Sequence, residues 1–479
     1  MHGLVAQGFG WRPHGSVTPI VDDFNMQVTA GERVLVLGPS GAGKSTLLLA
    51  FAGVLSVAEP GEWSGSVVLD GVDVRERTYR AGLVRQDPET NVLMQRVLDE
   101  VSFPPENLGL DGHAVAARAQ EALERTGLTV QPGRRTAALS GGEKQRLAVA
   151  SLVAMRPEVW LLDEPTAQLD PLGARMVRDA IEDALRPDDI LVLVEHHVEL
   201  WWDLVTRVIV IDANGQLVSD GSRDEFARRA REVGNAVGVW TIDDVVPEAK
   251  GFDVSGAPLL GLRDVQLIRG GMLDGFDFEL RAGEVACLTG PNGSGKSTLA
   301  MTIAGLLPPR TGRVEASESW APRRRGRLER NPLHWRGEER TARIATVFQQ
   351  PDLQFLGGTV RDEILLGAST EAVAFELLER LGLAGRLEQS PRTLSGGQKR
   401  RLSVATALAS PADVIVADEP TFGQDRHTWL ALVQLLAAAR DSGRTLVMPS
   451  HDERLVQALA PRLLSLAGDV SVPREGMGL

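Results

Sequence analysis

The segment Gly38-Pro39-Ser40-Gly41-Ala42-Gly43-Lys44-Ser45-Thr46 returns as Gly290-Pro291-Asn292-Gly293-Ser294-Gly295-Lys296-Ser297-Thr298. Each copy follows a strand-like apolar run, precedes a helix-like one, and has the spacing of a phosphate-binding loop. Its glycines let the backbone wrap a polyphosphate with N–H groups turned inward. A helix opening at Lys44 or Lys296 presents its positive end to the same anion. A chain with two such units is constrained to strand–loop–helix geometry in both halves.

The repetition extends well past the loops. Leu139-Ser140-Gly141-Gly142 returns as Leu394-Ser395-Gly396-Gly397, and Leu161-Leu162-Asp163-Glu164-Pro165-Thr166 as Val416-Ala417-Asp418-Glu419-Pro420-Thr421. Both are displaced by 255 residues (395 − 140 and 418 − 163), as are His196 and His451, against 252 for Lys44 and Lys296. So long a period means two copies of a domain rather than a solenoid, and 479 residues hold two full cores. The expected organisation is a first domain over 1–246, a Gly/Pro-rich linker over 247–258 and a second domain over 259–479.

Apolar runs at Arg33–Leu37, Trp160–Leu162 and Ile190–Val194 read as parallel strands buried on both faces, and Leu4–Gly8 as a further strand. Pro171–Leu185 and Asp224–Arg231 read as helices, Thr46–Ala58 as the helix behind the loop, and Val208–Val218 as a hairpin turning at Asn214-Gly215. This alternation predicts an α/β fold with a mostly parallel sheet, its chemistry at the carboxyl ends of the strands. The net charge of −13 argues against nucleic acid as a general partner. No apolar stretch approaches about 18 residues, so no membrane span is expected. Cys287 is the lone cysteine and sits in an apolar run, which predicts a buried, inert thiol. A second-half insertion carries Arg323, Arg324, Arg325, Arg327 and Arg330, then Trp335. It reads as a solvated surface feature or as a contact for an anionic partner.

Taken together and in order, these motifs resemble the nucleotide-binding domain of ATP-binding cassette (ABC) proteins, twice over nearly the whole chain. The resemblance implies tandem P-loop NTPase domains of ABC ATPase type, each with a mostly parallel core sheet, an antiparallel β subdomain and a helical subdomain. It implies ATP and Mg²⁺ as cofactors. Gly38, Ser40, Gly41, Gly43, Lys44, Ser45 and Thr46, with Gly290, Asn292, Gly293, Gly295, Lys296, Ser297 and Thr298, would hold the phosphates. Ser45, Gln86 and Asp163, and Ser297, Gln349 and Asp418, would face the metal. Glu164 and Glu419 would activate water, with His196 and His451 as switch histidines. Ser140, Gly141 and Gly142, and Ser395, Gly396 and Gly397, would reach the nucleotide of the opposite half, so that the halves form an intramolecular dimer with two composite sites. Trp11 would stack on adenine, and the second half offers only Arg269 near the matching position.

A finer likeness lies in Val97-Leu98-Asp99-Glu100-Val101 and Pro105-Glu106-Asn107, and in Val360-Arg361-Asp362-Glu363-Ile364. These resemble the ATPases of energy-coupling factor (ECF) importers of vitamins or transition-metal ions. That likeness implies a peripheral protein at the cytoplasmic face of the membrane. Its partners would be a transmembrane coupling protein and a substrate-binding membrane protein. Asp99, Glu100, Asp362 and Glu363 would meet basic residues of the coupling helices, or simply be acids at solvated helix starts. The alternative is a tandem ABC protein acting on ribosomes or nucleic acid, favoured by the arginine-rich insertion and opposed by the acidic net charge.

Overall fold

The computed structural model describes residues 3–76, 80–167, 169–242, 244, 246, 256–267 and 275–466. The chain divides into two compact units, Met1–Asp244 with Asp425–His427, and Val245–Gln424 with Thr428–Leu479. Most of the expected linker, and Arg269, lie outside the described residues; Pro258, expected at the linker's end, instead opens a strand.

The first unit is built on a six-stranded sheet ordered Leu217–Ser222, Arg207–Ile211, Arg33–Leu37, Ile190–Val194, Val159–Asp163, Ala81–Val84. All neighbours are parallel except the first pair. Successive side chains point to opposite faces, so each continuous apolar run feeds two cores. Val34, Val36, Leu161 and Val192 pack with the helix Lys44–Phe51 and a four-stranded antiparallel sheet that includes Gly3–Pro13 and Val21–Thr29. Leu35, Trp160, Leu162 and Leu193 pack on the other side, against helices Val97–Asn107, Gly112–Arg125, Gly141–Met155 and Pro171–Ala184.

The second unit repeats the plan with a wholly parallel five-stranded sheet ordered Ile344–Val347, Val414–Ala417, Thr445–Pro449, Val285–Thr289, Arg462–Ser465. A three-stranded antiparallel sheet and the helix Lys296–Ile303 cover one face. The arginine-rich insertion is a small hairpin, Arg323–Arg324 against Arg327–Leu328. Its turn residues Arg325 and Gly326 both have positive φ, as a two-residue hairpin turn of the right twist requires. Trp320 and Trp335 meet edge to face at 5.2 Å beneath it and join the core, and Arg324 is paired with Glu339. Arg323, Arg325 and Arg327 stay exposed.

Cys287 is buried, and burial pushes its thiol up to about 12, so it carries no thiolate near neutrality. Among the described residues no helix is long and apolar enough to cross a membrane.

Candidate nucleotide sites

Sheet order brings the candidate residues together. In the first unit the consecutive parallel strands 33–37, 190–194, 159–163 and 81–84 lead at their carboxyl ends into the phosphate-binding loop, His196, the Asp163-Glu164 pair and Gln86. In the second unit strands 285–289, 445–449, 414–417 and 344–347 deliver Gly290–Thr298, His451, Asp418-Glu419 and Gln349 in the same order.

Gly43 and Gly295, at φ 88° and 99°, turn each loop into its helix in the left-handed region, which a side chain would strain. Lys44 Nζ donates to Gly38 O and Pro39 O at 2.7 and 2.9 Å, and Lys296 Nζ to Gly290 O and Pro291 O at 2.8 and 3.0 Å. Both ammonium groups are thereby held within their loops, and burial lowers the Lys44 pKa. The Ser45 hydroxyl lies beside Asp163 and that of Ser297 beside Asp418, each favouring the ionised carboxylate. Burial and the neighbouring Glu164 push Asp163 up to about 6, and burial likewise raises Asp418.

Glu164 and Glu419 sit at φ 48° and 49°, a strained conformation for a residue with a side chain, kept in both units. Their surroundings differ. Glu164 accepts from Gln86 Nε2 at 2.8 Å and lies 3.2 Å from His196 Nε2. Burial works to raise its pKa, but His196, Lys44 and Gln86 outweigh it and hold the carboxylate low. Glu419 instead accepts from Ser450 Oγ at 3.0 Å and the His451 amide at 3.2 Å, while the His451 ring is 3.2 Å from Asn292 Oδ1. Burial and Asp418 push Glu419 up to about 8.

The donor sets fit a hard divalent cation: a hydroxyl beside a buried carboxylate in each unit, with Asp418 Oδ2 buried and lacking any hydrogen-bond partner. Ser294 Oγ, in the second loop, is likewise buried without a partner. Ser140 and Ser395 cap the helices Gly141–Met155 and Gly396–Ala409, each in a reciprocal capping box. Ser140–Gly142 and Ser395–Gly397 make no hydrogen bond to their own unit's loop among the described residues. A Cβ built on Gly396 would meet nothing within 4 Å, so packing within its own unit does not require that glycine.

Three expectations are corrected. Trp11 is 1% exposed, packed against Gly61 and edge-on to Trp63, and offers no open face to a base. The next residue, Arg12, points outward and pairs with Glu62. Glu100 and Glu363 are no docking acids. Each is 4% exposed; Glu100 accepts from Leu93 N and Met94 N at 2.9 and 2.5 Å, and Glu363 from Leu356 N and Gly357 N at 2.8 and 2.7 Å. Asp362 closes the capping box of its helix with Thr359. Sequence reasoning also missed Ser450, and Glu195, which accepts from Thr166, the His196 amide and, at 3.4 Å, the His197 amide. The 255-residue offset aligns Glu195 with Ser450, so the difference was present in the repeat.

Residues 21–167 and 273–422 match the profile of the ABC transporter family. The chain belongs to the ABC transporter family. "Putative HMP/thiamine import ATP-binding protein YkoD" of Bacillus subtilis (strain 168) is 34% identical across 94% of this chain and 87% of its own length. A "Putative ABC transporter ATP-binding protein SSO2030" of Saccharolobus solfataricus is 32% identical, covering 94% and 89%. Among solved structures, the archaeal ribosome recycling factor aABCE1, in complex with ribosomal stalk protein aP1, aligns over 95% of this chain and 87% of its own at TM-score 0.66 and 20% identity. At that identity the likeness concerns the tandem ABC ATPase fold alone.

Proposed function

We propose that this chain is the ATP-hydrolysing subunit of an ECF-type importer. The observation that carries the reading is the 34% identity to a protein named for HMP/thiamine import, extending across 94% of the chain rather than the loops alone. A surface feature supports it. Beside the glutamine loops, Leu93 and Leu98 in the first unit and Leu353, Leu356 and Leu366 in the second are exposed, Leu356 at 85%. Apolar side chains clustered on a polar protein suit a protein partner. Glu100 and Glu363 fix the backbone that presents them.

In this reading Lys44 and Lys296 neutralise phosphate charge, and the inward N–H groups of each loop orient the chain of phosphates. Ser45 with Asp163, and Ser297 with Asp418, would hold Mg²⁺, with Gln86 and Gln349 nearby. The cation would screen the phosphate oxygens and stabilise charge on the leaving group. Glu164, held ionised, and Glu419, in its ionised form, take the proton of the attacking water; His196 and His451 hold that water and the terminal phosphate. Each loop works with the Ser-Gly-Gly segment of the other half, so Ser140 serves Lys296 and Ser395 serves Lys44. Binding then draws the halves together and hydrolysis releases them, driving a transmembrane coupling protein at the cytoplasmic face of the membrane. Adenine rests on a residue other than Trp11, and the guanidinium of the outward-facing Arg12 beside it is a planar group able to stack on a base.

The test is affinity isolation from membranes of the source cell, followed by identification of the integral membrane proteins and the small molecule they retain. Recovery of a coupling protein that stimulates ATP turnover supports the reading. Recovery of ribosomes, with turnover indifferent to membrane proteins, supports the alternative that the exposed Arg323, Arg325 and Arg327 favour.

A further inference from the structure

The repeat aligns Gln145 with Arg400, both five residues past the serine that caps their helix. Gln145 is 1% exposed, and neither its Oε1 nor its Nε2 has a hydrogen-bond partner. Arg400 is 5% exposed and engaged through both of its Nη atoms. Nη1 donates to Phe348 O at 2.7 Å and to Asp418 O at 3.1 Å, and Nη2 donates to Gln349 O. One planar fork thus ties the backbone of the glutamine loop to the strand end carrying the metal-facing carboxylate, a geometry an ammonium cannot reproduce.

The two units consequently hold their glutamine loops by different means. In the first, Asn91 holds the backbone of Arg85, and Gln86 itself is anchored through its side chain on Glu164, so freeing either group for a ligand breaks that bond. In the second, the loop is held through its backbone, and the Gln349 side chain has no hydrogen bond among the described residues. We propose that Arg400 is a positioning residue that sets Gln349 in place before nucleotide and cation arrive, so that the second site engages its cation without rearrangement while the first must exchange a hydrogen bond. This rests on reading Gln349 as the cation-facing glutamine.

The test uses the full chain in a Glu164→Gln background, where turnover reports the second site. Arg400→Gln is expected to raise the Mg²⁺ concentration for half-maximal turnover about tenfold while kcat at saturation stays within about twofold, because only ground-state placement is lost. Amide hydrogen exchange at residues 347–350 of the nucleotide-free protein quickens. Arg400→Lys keeps the charge without the fork and behaves as Arg400→Gln. Unchanged half-saturation and exchange in Arg400→Gln overturns the proposal, as does wild-type behaviour of Arg400→Lys. Gln349→Ala separates the two layers: if it leaves the Mg²⁺ dependence untouched, the cation-facing reading of Gln349 falls, and exchange at 347–350 still judges the backbone latch. Should Arg400→Gln fail to fold, Gln145→Arg is the reciprocal probe. It is expected to slow exchange at residues 84–86, and no slowing overturns the proposal.

Discussion

Glu164 and Glu419 occupy the same position of the repeat with different neighbours, and the difference has consequences for single residues. In the proposed mechanism each is the base of its own site. Glu164→Gln or Glu419→Gln should lower turnover at that site by about 10²–10⁴-fold, the usual worth of a general base. Single-turnover ATPase assays on each variant measure it, and turnover unaltered by either change would remove the base assignment from that residue. Glu419 also predicts a pH effect. Its folded pKa, about 8, lies above its ordinary 4.5, so its contribution to stability is fully present below about 4.5 and is lost as pH rises through about 8. The thermal midpoint of the nucleotide-free protein should fall over that window, and Glu419→Gln should flatten the fall. A slope indifferent to the substitution would mean that Glu419 is ionised throughout.

At the scale of elements, the segments beside the glutamine loops depend on buried carboxylates. Glu100 accepts two backbone N–H groups on behalf of a segment bearing the exposed Leu93. Replacing it with alanine strands both donors. The expected cost is about 1.5–3 kcal/mol per charged hydrogen bond, read by denaturant unfolding, together with faster amide exchange at Leu93 and Met94. The arginine hairpin stands on Trp320 and Trp335. Trp335→Ala should destabilise the second unit by about 3–5 kcal/mol, visible in its calorimetric transition, whereas neutralising Arg323, Arg325 and Arg327 should leave that transition within about 0.5 kcal/mol. A large loss from the arginine changes would show that those side chains hold the fold rather than face solvent.

For the whole molecule, the proposed pairing of each loop with the opposite Ser-Gly-Gly segment makes a cross-half prediction. Ser140→Arg should abolish turnover at the site of Lys296 and spare the ADP affinity of the Lys44 loop, measured by calorimetric titration; loss confined to the Lys44 site would refute the pairing. The family and the α/β plan were legible in the chain itself. Strands such as Arg33–Leu37 and Ile190–Val194 are buried on both faces and therefore appear as unbroken apolar runs, and the loop motif needs only local backbone geometry. The direction in which Trp11 points was not legible. A register shift between Ala6 and Phe9 resets the alternation of its strand, so that burial passes from Leu4 and Ala6 to Phe9 and Trp11 and the ring turns into the core. Nor did the sequence disclose that Glu100 and Glu363 lie buried, since an acid in the first turn of a helix is ordinary on a solvated surface and only the fold of the preceding segment encloses it. Sequence determined which residues are the candidates for the chemistry, because phosphate binding fixes residue types at fixed spacings. Tertiary structure alone decided what each is bonded to: strand order places four loop ends side by side, and differences as small as Gln145 against Arg400 then give each unit its own arrangement.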